Sequence, residues 1–202
     1  MPQSTLRLLR AGAPPAIPPR VADEDRDGEL LARLARSDIA ALDLLLARYW
    51  TLVVNYLVRL RSTPDAAEDI AQRTFCQLWD RRAEWRAAGS VRALLCRIAR
   101  NFAISERRRN GARERSAGIF AAETPLNPTP AEVLDGAQLR LALERAITCL
   151  PERRREVFVL RCVHDLSYKE IADVLDIAPQ TVANQLSAAL ATLRVSLGNA
   201  LA

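Results

Sequence analysis

The 202-residue sequence predicts an all-α fold made of two small helical domains joined by a flexible linker. Half of the residues are hydrophobic and only seven are glycine, and no runs of alternating Val, Ile and Thr indicate strands. Residues 111–128 lose helical periodicity and gain Gly, Pro, Ser and Thr, which is typical of a linker. Residues 166–194 contain two short amphipathic patterns across a tight turn, so the C-terminal domain is predicted to be a four-helix unit with a helix-turn-helix.

The predicted domain boundaries follow these changes in composition. Residues 1–25 are rich in Pro and Ala and are assigned to a disordered tail. Residues 26–112 form the first domain, residues 113–129 the linker and residues 130–202 the second domain.

The first domain opens with a strong apolar stripe at three- and four-residue spacing between Glu29 and Leu60. Ser37 and Asp38 interrupt this stripe with a break followed by a capping residue. The pattern therefore predicts two consecutive helices.

The next helix is predicted from Pro64 to about Trp79, because Thr63 can cap it and a proline is tolerated at the first helical position. One face is apolar and is expected to be buried; it comprises Ala67, Ile70, Ala71, Thr74, Phe75, Leu78 and Trp79. The opposite face is polar, which by itself indicates only a solvated surface; it comprises Glu68, Asp69, Gln72, Arg73, Cys76 and Gln77.

Positive charge is concentrated in residues 90–115, which hold eight arginines and two glutamates and so carry +6, whereas the whole chain carries +5. A helix is predicted for residues 91–109, after a glycine-containing loop of residues 85–90. Clustered arginines suit a polyanion, since the guanidinium group matches the geometry of phosphate. The alternative is a solvated helix face.

The second domain contains two clear helix starts before its helix-turn-helix. Thr129 and Pro130 combine a cap with a first-position proline, and Pro151 starts the following helix. The opening residues 152–155 of that helix are expected to be exposed, and its buried residues are expected to be Val157, Phe158, Leu160 and Val163.

The closing stretch predicts a helix, a turn of residues 176–178 and a second helix that begins at Pro179. Ser167 and Glu170 have the spacing of a capping box. The inward face of the second helix comprises Val182, Leu186, Leu190 and Leu193, and its outward face comprises Gln180, Asn184, Ser187, Ala188 and Ala191. Such a helix fits a DNA major groove, but a helical hairpin in a bundle core has the same pattern, and this stretch alone favours neither.

The four cysteines are far apart, and the chain has one histidine, so no metal-ligand spacing and no cofactor motif is present in the sequence. Reduced thiols in a cytosolic protein are therefore predicted. The sequence is also expected to lack a signal peptide and any apolar run long enough to span a bilayer. These expectations predict a cytoplasmic location.

The assembled pattern resembles the sigma factors of bacterial RNA polymerase, specifically the extracytoplasmic-function (ECF) group of the sigma-70 family. Residues 67–80, AEDIAQRTFCQLWD, resemble the polymerase-binding helix of that family. Residues 91–109 resemble the helix that melts and reads the −10 promoter element, and residues 150–193 resemble the final domain, which reads the −35 element. The order and spacing of the three stretches make the resemblance specific, and it covers most of the chain.

The resemblance implies three partners: the β and β′ subunits of core RNA polymerase, promoter DNA and an anti-sigma factor. It implies polymerase-binding roles for Asp69, Gln72, Arg73 and Cys76. It implies contacts to the −10 element for Trp85, Ser90, Arg92, Arg97, Arg100, Asn101, Arg107, Arg108 and Arg109, with Asn101 helping to hold a flipped base. It implies contacts to the −35 element for Gln180, Thr181, Asn184, Gln185 and Ser187.

The sequence departs from the family pattern mainly in the last helix. Residues 179–193 contain no charged residue, where family members commonly carry Lys or Arg. Ala178 replaces the usual serine cap and Asp176 the usual turn glycine, and a missing cap costs about 1 kcal/mol. In the polymerase-binding helix, Arg73 stands where glutamate is usual.

Three other functions compete with the sigma-factor hypothesis. A free-standing helix-turn-helix regulator must supply its own DNA affinity, which an uncharged recognition helix does not favour, and the helix of residues 67–80 would have no role in it. An enzyme is disfavoured because the sequence offers no paired nucleophile and base and no Gly-rich phosphate loop. A sigma-like protein whose final domain mainly binds protein partners remains open.

Overall fold

The computed structural model describes residues 21–60, 62–85, 90–116 and 136–201. Within these ranges the chain forms eight α-helices and no strand, as the sequence predicts. The helices are α1 (Val21–Ala35), α2 (Ile39–Arg59), α3 (Pro64–Asp80), α4 (Val91–Ser116), α5 (Gly136–Cys149), α6 (Glu152–Cys162), α7 (Tyr168–Leu175) and α8 (Pro179–Leu201). They divide into two compact units, one dominated by α1–α4 and the other by α5, α6, α8 and most of α7.

The N-terminal unit is organised around α2, which packs against α1, α3 and α4. The apolar stripe predicted for this helix is buried, with Leu45, Val53 and Leu57 fully inaccessible to solvent. The predicted apolar face of α3 is also buried, except that Trp79 is half-buried. Because α3 packs against both α2 and α4, its opposite face remains outside the core.

The predicted helix caps of this unit are confirmed. The Asp38 carboxylate accepts a hydrogen bond from the Ala40 backbone N–H at 3.0 Å, and Thr63 Oγ1 accepts one from Ala66 at 3.4 Å. Arg33 Nε also donates to Asp38 at 2.8 Å, and this bond holds the pKa of the Asp38 carboxyl below its usual value. Side-chain acceptors therefore fix where α2 and α3 begin.

A buried polar contact fastens α1 to α2. Asp27 is only 5% exposed, and it accepts a hydrogen bond from the Tyr49 hydroxyl while lying 3.0 Å from Arg48 Nη1. Burial and the neighbouring Asp27 carboxylate raise the pKa of Tyr49 well above its usual value. A carboxylate can remain buried here because a cation and a hydroxyl both compensate it.

Two boundaries differ from the sequence prediction. Helix α1 begins at Val21, so residues 21–25 are helical although they were assigned to the disordered tail. Acidic residues such as those at positions 23–25 favour the first turns of a helix. Helix α4 continues to Ser116, into the predicted linker. The remainder of the predicted tail, residues 86–89 of the predicted loop, and residues 117–135 lie outside the described residues.

The expectation that no apolar run is long enough to span a bilayer was wrong for α2. By length and composition alone, this helix could cross a membrane. The core helix of a water-exposed domain can meet the same criterion, and α2 buries 33% of its apolar window, including Leu45, Tyr49 and Val53, inside the unit. Length and composition are therefore only weak evidence that α2 is a membrane segment.

In the C-terminal unit, α8 packs against α5 and α6. The four inward residues predicted for α8 are all buried. The predicted capping box of α7 is reciprocal: the Ser167 backbone N–H donates to Glu170 Oε2 at 2.7 Å, and the Glu170 N–H donates to Ser167 Oγ at 3.2 Å. Both partners of the box thus satisfy a helix-end donor.

The turn between α7 and α8 uses an aspartate where a glycine is easier to accommodate. Asp176 has a φ of 55°, in the left-handed region that short polar residues tolerate better than most. The Ile177 backbone N–H donates to the Ala172 carbonyl at 3.1 Å and closes the end of α7. Pro179 then starts α8 as predicted, without a side-chain cap from Ala178.

The predicted exposure of residues 152–155 was wrong for Arg155, which is 4% exposed. Its Nη1 donates to the carbonyls of Thr148 and Leu150 at 3.1 and 3.2 Å, at the end of α5. The last carbonyls of a helix lack partners within the helix, and a cation is favourable beside them. Tertiary capping therefore draws this arginine inward.

We predict that Arg155→Met destabilises the C-terminal unit by about 1–3 kcal/mol, because buried carbonyls lose their donor. The neighbouring Arg154, which is half-buried, provides the matched control, and Arg154→Met is expected to change stability by less than about 0.5 kcal/mol. Urea unfolding measures the change, and amide hydrogen exchange in α5 and α6 assigns it to this unit. Equal stabilities of the two variants would contradict the capping role.

Candidate polymerase and nucleic-acid interfaces

The outward face of α3 carries the four predicted polymerase-binding residues. Asp69, Gln72 and Cys76 are exposed and follow one another at three- or four-residue spacing, so they form one stripe. Arg73 lies beside this stripe and is half-buried. The structure thus brings all four together on a surface that the core does not use.

Arg73 has contacts within the chain as well as a place on this face. Its Nη1 donates to Glu106 Oε2 of α4 at 3.0 Å and lies 3.5 Å from Asp69 Oδ2. Its guanidinium lies over the ring of Phe102, 4.5 Å from the centroid. Glu106 and Phe102 could not be predicted from the sequence as partners of Arg73, because about thirty residues separate them from it and no local spacing links them.

Trp85 and Ser90, the two described ends of the loop of residues 85–90, have defined structural roles. Trp85 is half-buried, and its Nε1 donates to the Leu78 carbonyl at the end of α3 at 2.9 Å. Ser90 Oγ accepts a hydrogen bond from the Ala93 backbone N–H at 3.3 Å, which caps the start of α4. These bonds hold Trp85 against the end of α3 and Ser90 against the start of α4.

Helix α4 presents most of its predicted DNA-binding residues outward. Arg97, Asn101 and the three arginines at 107–109 are exposed, and Arg92 is half-buried. Arg100 is different, because it is only 9% exposed. Its guanidinium would have to turn outward to reach a phosphate, whereas the others already face solvent.

Arg82, which the sequence does not single out, places another cation just after the end of α3. Its guanidinium lies 4.5 Å from the centroid of the Trp79 ring, and its Nε donates to Ser37 Oγ at 2.9 Å. These contacts join the turn after α3 to the α1–α2 turn and cover part of the Trp79 ring. They indicate a structural role for Arg82.

The outward face of α8 is polar and uncharged over its first half. Gln180, Asn184 and Ser187 are exposed, and Thr181 and Gln185 flank them as half-buried residues. Gln180 Nε2 donates to Asn184 Oδ1 at 3.2 Å, so the two amides support each other one turn apart. The face offers hydrogen-bonding groups for base edges and little positive charge for phosphates.

The thiols differ in accessibility. Cys76 and Cys149 are exposed, whereas Cys96 and Cys162 are buried, and none of the four forms a disulfide. Burial raises the pKa of Cys162 to about 12, which makes it an unreactive core thiol at neutral pH. Among the described residues, no group of three or more His, Cys, Asp or Glu is placed to hold a metal ion.

Two family models match the chain in the order of its two units. The model of sigma-70 region 2 matches residues 45–113, and that of sigma-70 region 4 matches residues 140–193. The first range contains α3, most of α2 and all but the last three residues of α4, and the second contains α6, α7 and the exposed polar residues of α8.

Curated relatives are similar over most of their length. The ECF RNA polymerase sigma factor SigL of Mycobacterium tuberculosis is 30% identical over 164 residues, which cover 81% of this chain and 92% of SigL. The RNA polymerase sigma-H factor of Pseudomonas aeruginosa is 26% identical over 174 residues, which cover 81% of this chain and 89% of that factor.

Solved structures with a similar fold include two sigma-factor complexes. The sigma factor RpoE of Bartonella quintana, in complex with the anti-sigma factor NepR, is 25% identical and aligns with a TM-score of 0.63 over 77% of this chain and 96% of RpoE. CnrH, in complex with the cytosolic domain of CnrY, is 23% identical and aligns with a TM-score of 0.63 over 85% of this chain and 97% of CnrH.

Proposed function

Because the chain belongs to the ECF group of the sigma-70 family, and so directs RNA polymerase to promoters to initiate transcription, we propose that it does so through the faces of α3, α4 and α8. The observation that carries this assignment is that the two sigma-70 regions match the two units in order. The exposed residues of these three helices then correspond to three separate tasks: polymerase binding, strand opening and recognition of a distal element.

We propose that the outward face of α3 binds core RNA polymerase at its β and β′ subunits. The stripe of Asp69, Gln72 and Cys76 supports this assignment, because it is exposed and is not used by the packing of α3 on α2 and α4. The α3 face is held rigidly by the packing of α3 on α2 and α4, so little ordering is needed on binding.

We propose that α4 opens the promoter at the −10 element. Asn101 is exposed on α4 beside Arg97, and the loop between Trp85 and Ser90 precedes the same helix. A base taken out of the stack costs a few kcal/mol, which a fitted pocket partly offsets. The exposed arginines of α4 would contact phosphates close to that pocket and so position the strand.

We propose that α8 reads the −35 element through amide side chains. Asn and Gln can bond the edge of an adenine in the major groove, and Gln180 and Asn184 are exposed one turn apart. Because this face lacks charge, its affinity is too low for a free-standing regulator. Tethering through the polymerase raises the effective concentration of the weak module.

A second candidate role for the C-terminal unit is binding of a protein partner. The uncharged outward face of α8 leaves this role open, because it offers few contacts to phosphates. The similar sigma factor RpoE of Bartonella quintana is bound to an anti-sigma factor in its crystal structure. We infer that an anti-sigma factor regulates this chain as well.

We also infer that the chain acts in the cytoplasm, where core polymerase and promoter DNA are found, and that it has no catalytic activity of its own. The supporting feature is the family membership. The nucleotidyl-transfer chemistry would then belong wholly to the core enzyme.

Asp69→Ala is expected to weaken binding to core RNA polymerase roughly ten-fold, because truncation of an interface residue typically removes that much affinity when the residue is central. Asp43→Ala is the matched control, since Asp43 is an exposed aspartate on α2 outside all three proposed surfaces. Fluorescence titration of labelled chain with core enzyme measures the effect. If Asp69→Ala and Asp43→Ala bind core enzyme equally well, and if core binding does not protect Cys76 from alkylation, α3 is excluded as the docking face.

Asn101→Ala is expected to reduce open-complex formation on the order of ten-fold while core binding stays unchanged, because a specific base contact is worth about 1–3 kcal/mol. Permanganate reactivity of unpaired thymines measures strand opening. Asn55→Ala, which alters an exposed asparagine on α2, controls for general effects on stability. Loss of core binding in Asn101→Ala would instead indicate a role in folding or docking.

Asn184→Ala is expected to relax preference at one base pair of the distal element by about 1–3 kcal/mol while leaving the salt dependence of promoter binding unchanged, since an amide neutralises no phosphate. Competition among promoters mutated at single positions measures both quantities. An unchanged preference at every position would support the alternative in which α8 mainly binds protein.

A further inference from the structure

One arginine connects the α3 docking face to the basic helix α4. Arg73 Nη1 bonds Glu106 Oε2 at 3.0 Å, and the Arg73 guanidinium covers the Phe102 ring. The same Nη1 lies 3.5 Å from Asp69 on the docking face itself. A single side chain is therefore in contact with a proposed polymerase-binding residue and with the helix proposed to bind DNA.

Glu106 is shared between two arginines. Its Oε2 lies 3.0 Å from Arg73 and 3.6 Å from Arg109 Nη2, one turn further along α4. Glu106 is also the one acidic residue among residues 91–110. The shorter bond draws the carboxylate toward α3, so it neutralises Arg109 less than an i,i+3 pair in an isolated helix would.

Polymerase binding should strengthen the preference of Glu106 for Arg73 over Arg109. A partner that engages the exposed Asp69 removes one of the two carboxylates available to Arg73, which leaves Glu106 as its remaining partner. Exclusion of water from the α3 face also strengthens the charge interaction of Arg73 with Glu106. Both changes move the Glu106 charge away from Arg109, which is 60% exposed.

We propose that Arg73 is a positioning residue for promoter binding: it holds Glu106 on the α3 side, and so makes Arg109 available to promoter phosphates when core polymerase docks. The inference rests on the proposed roles of α3 and α4. Because half-exposed ion pairs add little to stability, the consequence is expected in DNA binding and much less in folding. By linkage, promoter binding would favour docking to the same extent.

The test measures how the affinity of the full-length chain with core enzyme for promoter DNA depends on salt. In Arg73→Gln, Glu106 pairs with Arg109, so the slope of log K against log salt is expected to fall by about 0.7–0.9, the value of one phosphate contact. Adding Glu106→Gln to that variant removes the neutralising charge and is expected to restore the wild-type slope. Arg109→Gln alone should lower the slope by the same amount as Arg73→Gln. The double variant with both substitutions should have the same slope as either single variant.

The Arg33–Asp38 pair provides a matched control. It joins α1 to the start of α2 at 2.8 Å, and its side chains are 34% and 35% exposed, the same values as for Arg73 and Glu106. Arg33→Gln is expected to leave the slope unchanged. If Arg73 only stabilised the fold, adding Glu106→Gln would not restore the wild-type slope, because that substitution also removes the Arg73–Glu106 ion pair.

Two results would overturn the inference: an unchanged slope in Arg73→Gln, or a double variant that keeps the slope of Arg73→Gln. Either result leaves the proposed function intact if the wild-type chain still binds core enzyme and opens promoters. Failure of the wild-type chain in those two assays would instead reject the proposed function, and with it this inference.

Discussion

The N-terminal unit depends on the burial of one face of α2 between α1, α3 and α4. That single packing arrangement decides which side of α3 and which side of α4 stay outside the core. Buried apolar residues of α3, such as Ile70 and Phe75, turn Asp69, Gln72 and Cys76 outward, and buried Leu95 and Ile98 do the same for Arg97 and Asn101 of α4. The proposed docking surface and the proposed strand-opening surface thus lie on neighbouring, directly packed helices.

Positive charge is distributed unequally between the proposed DNA-binding helices of the two units. Residues 90–115 carry a net charge of +6, whereas residues 179–193 carry no charge at all. DNA affinity comes mainly from phosphate contacts, and sequence preference comes mainly from base edges. The N-terminal unit is therefore suited to holding DNA, and α8 is suited to choosing among sequences once the polymerase has brought it to them.

The sequence predicted most of the features that depend on local spacing. The caps at Asp38 and Thr63, the Ser167–Glu170 box and the inward stripe of α8 all follow from neighbours two to four residues apart. The features it missed depend on contacts across the fold: Arg155 is buried because the end of α5 needs donors, and Arg73 meets Glu106 only when α3 packs on α4. The candidate site residues were predicted from the sequence through its family resemblance. Only the structure separates buried Arg100 from the exposed arginines.

The measurement that tests this account most directly is transcription by core RNA polymerase on a promoter library, with and without the full-length chain. The account predicts that the chain converts non-specific initiation into defined start sites that share two upstream elements, while the chain without core enzyme binds the same DNA only weakly. Tight, specific binding by the chain alone, with no defined start sites when core enzyme is added, would contradict it and would favour a free-standing regulator.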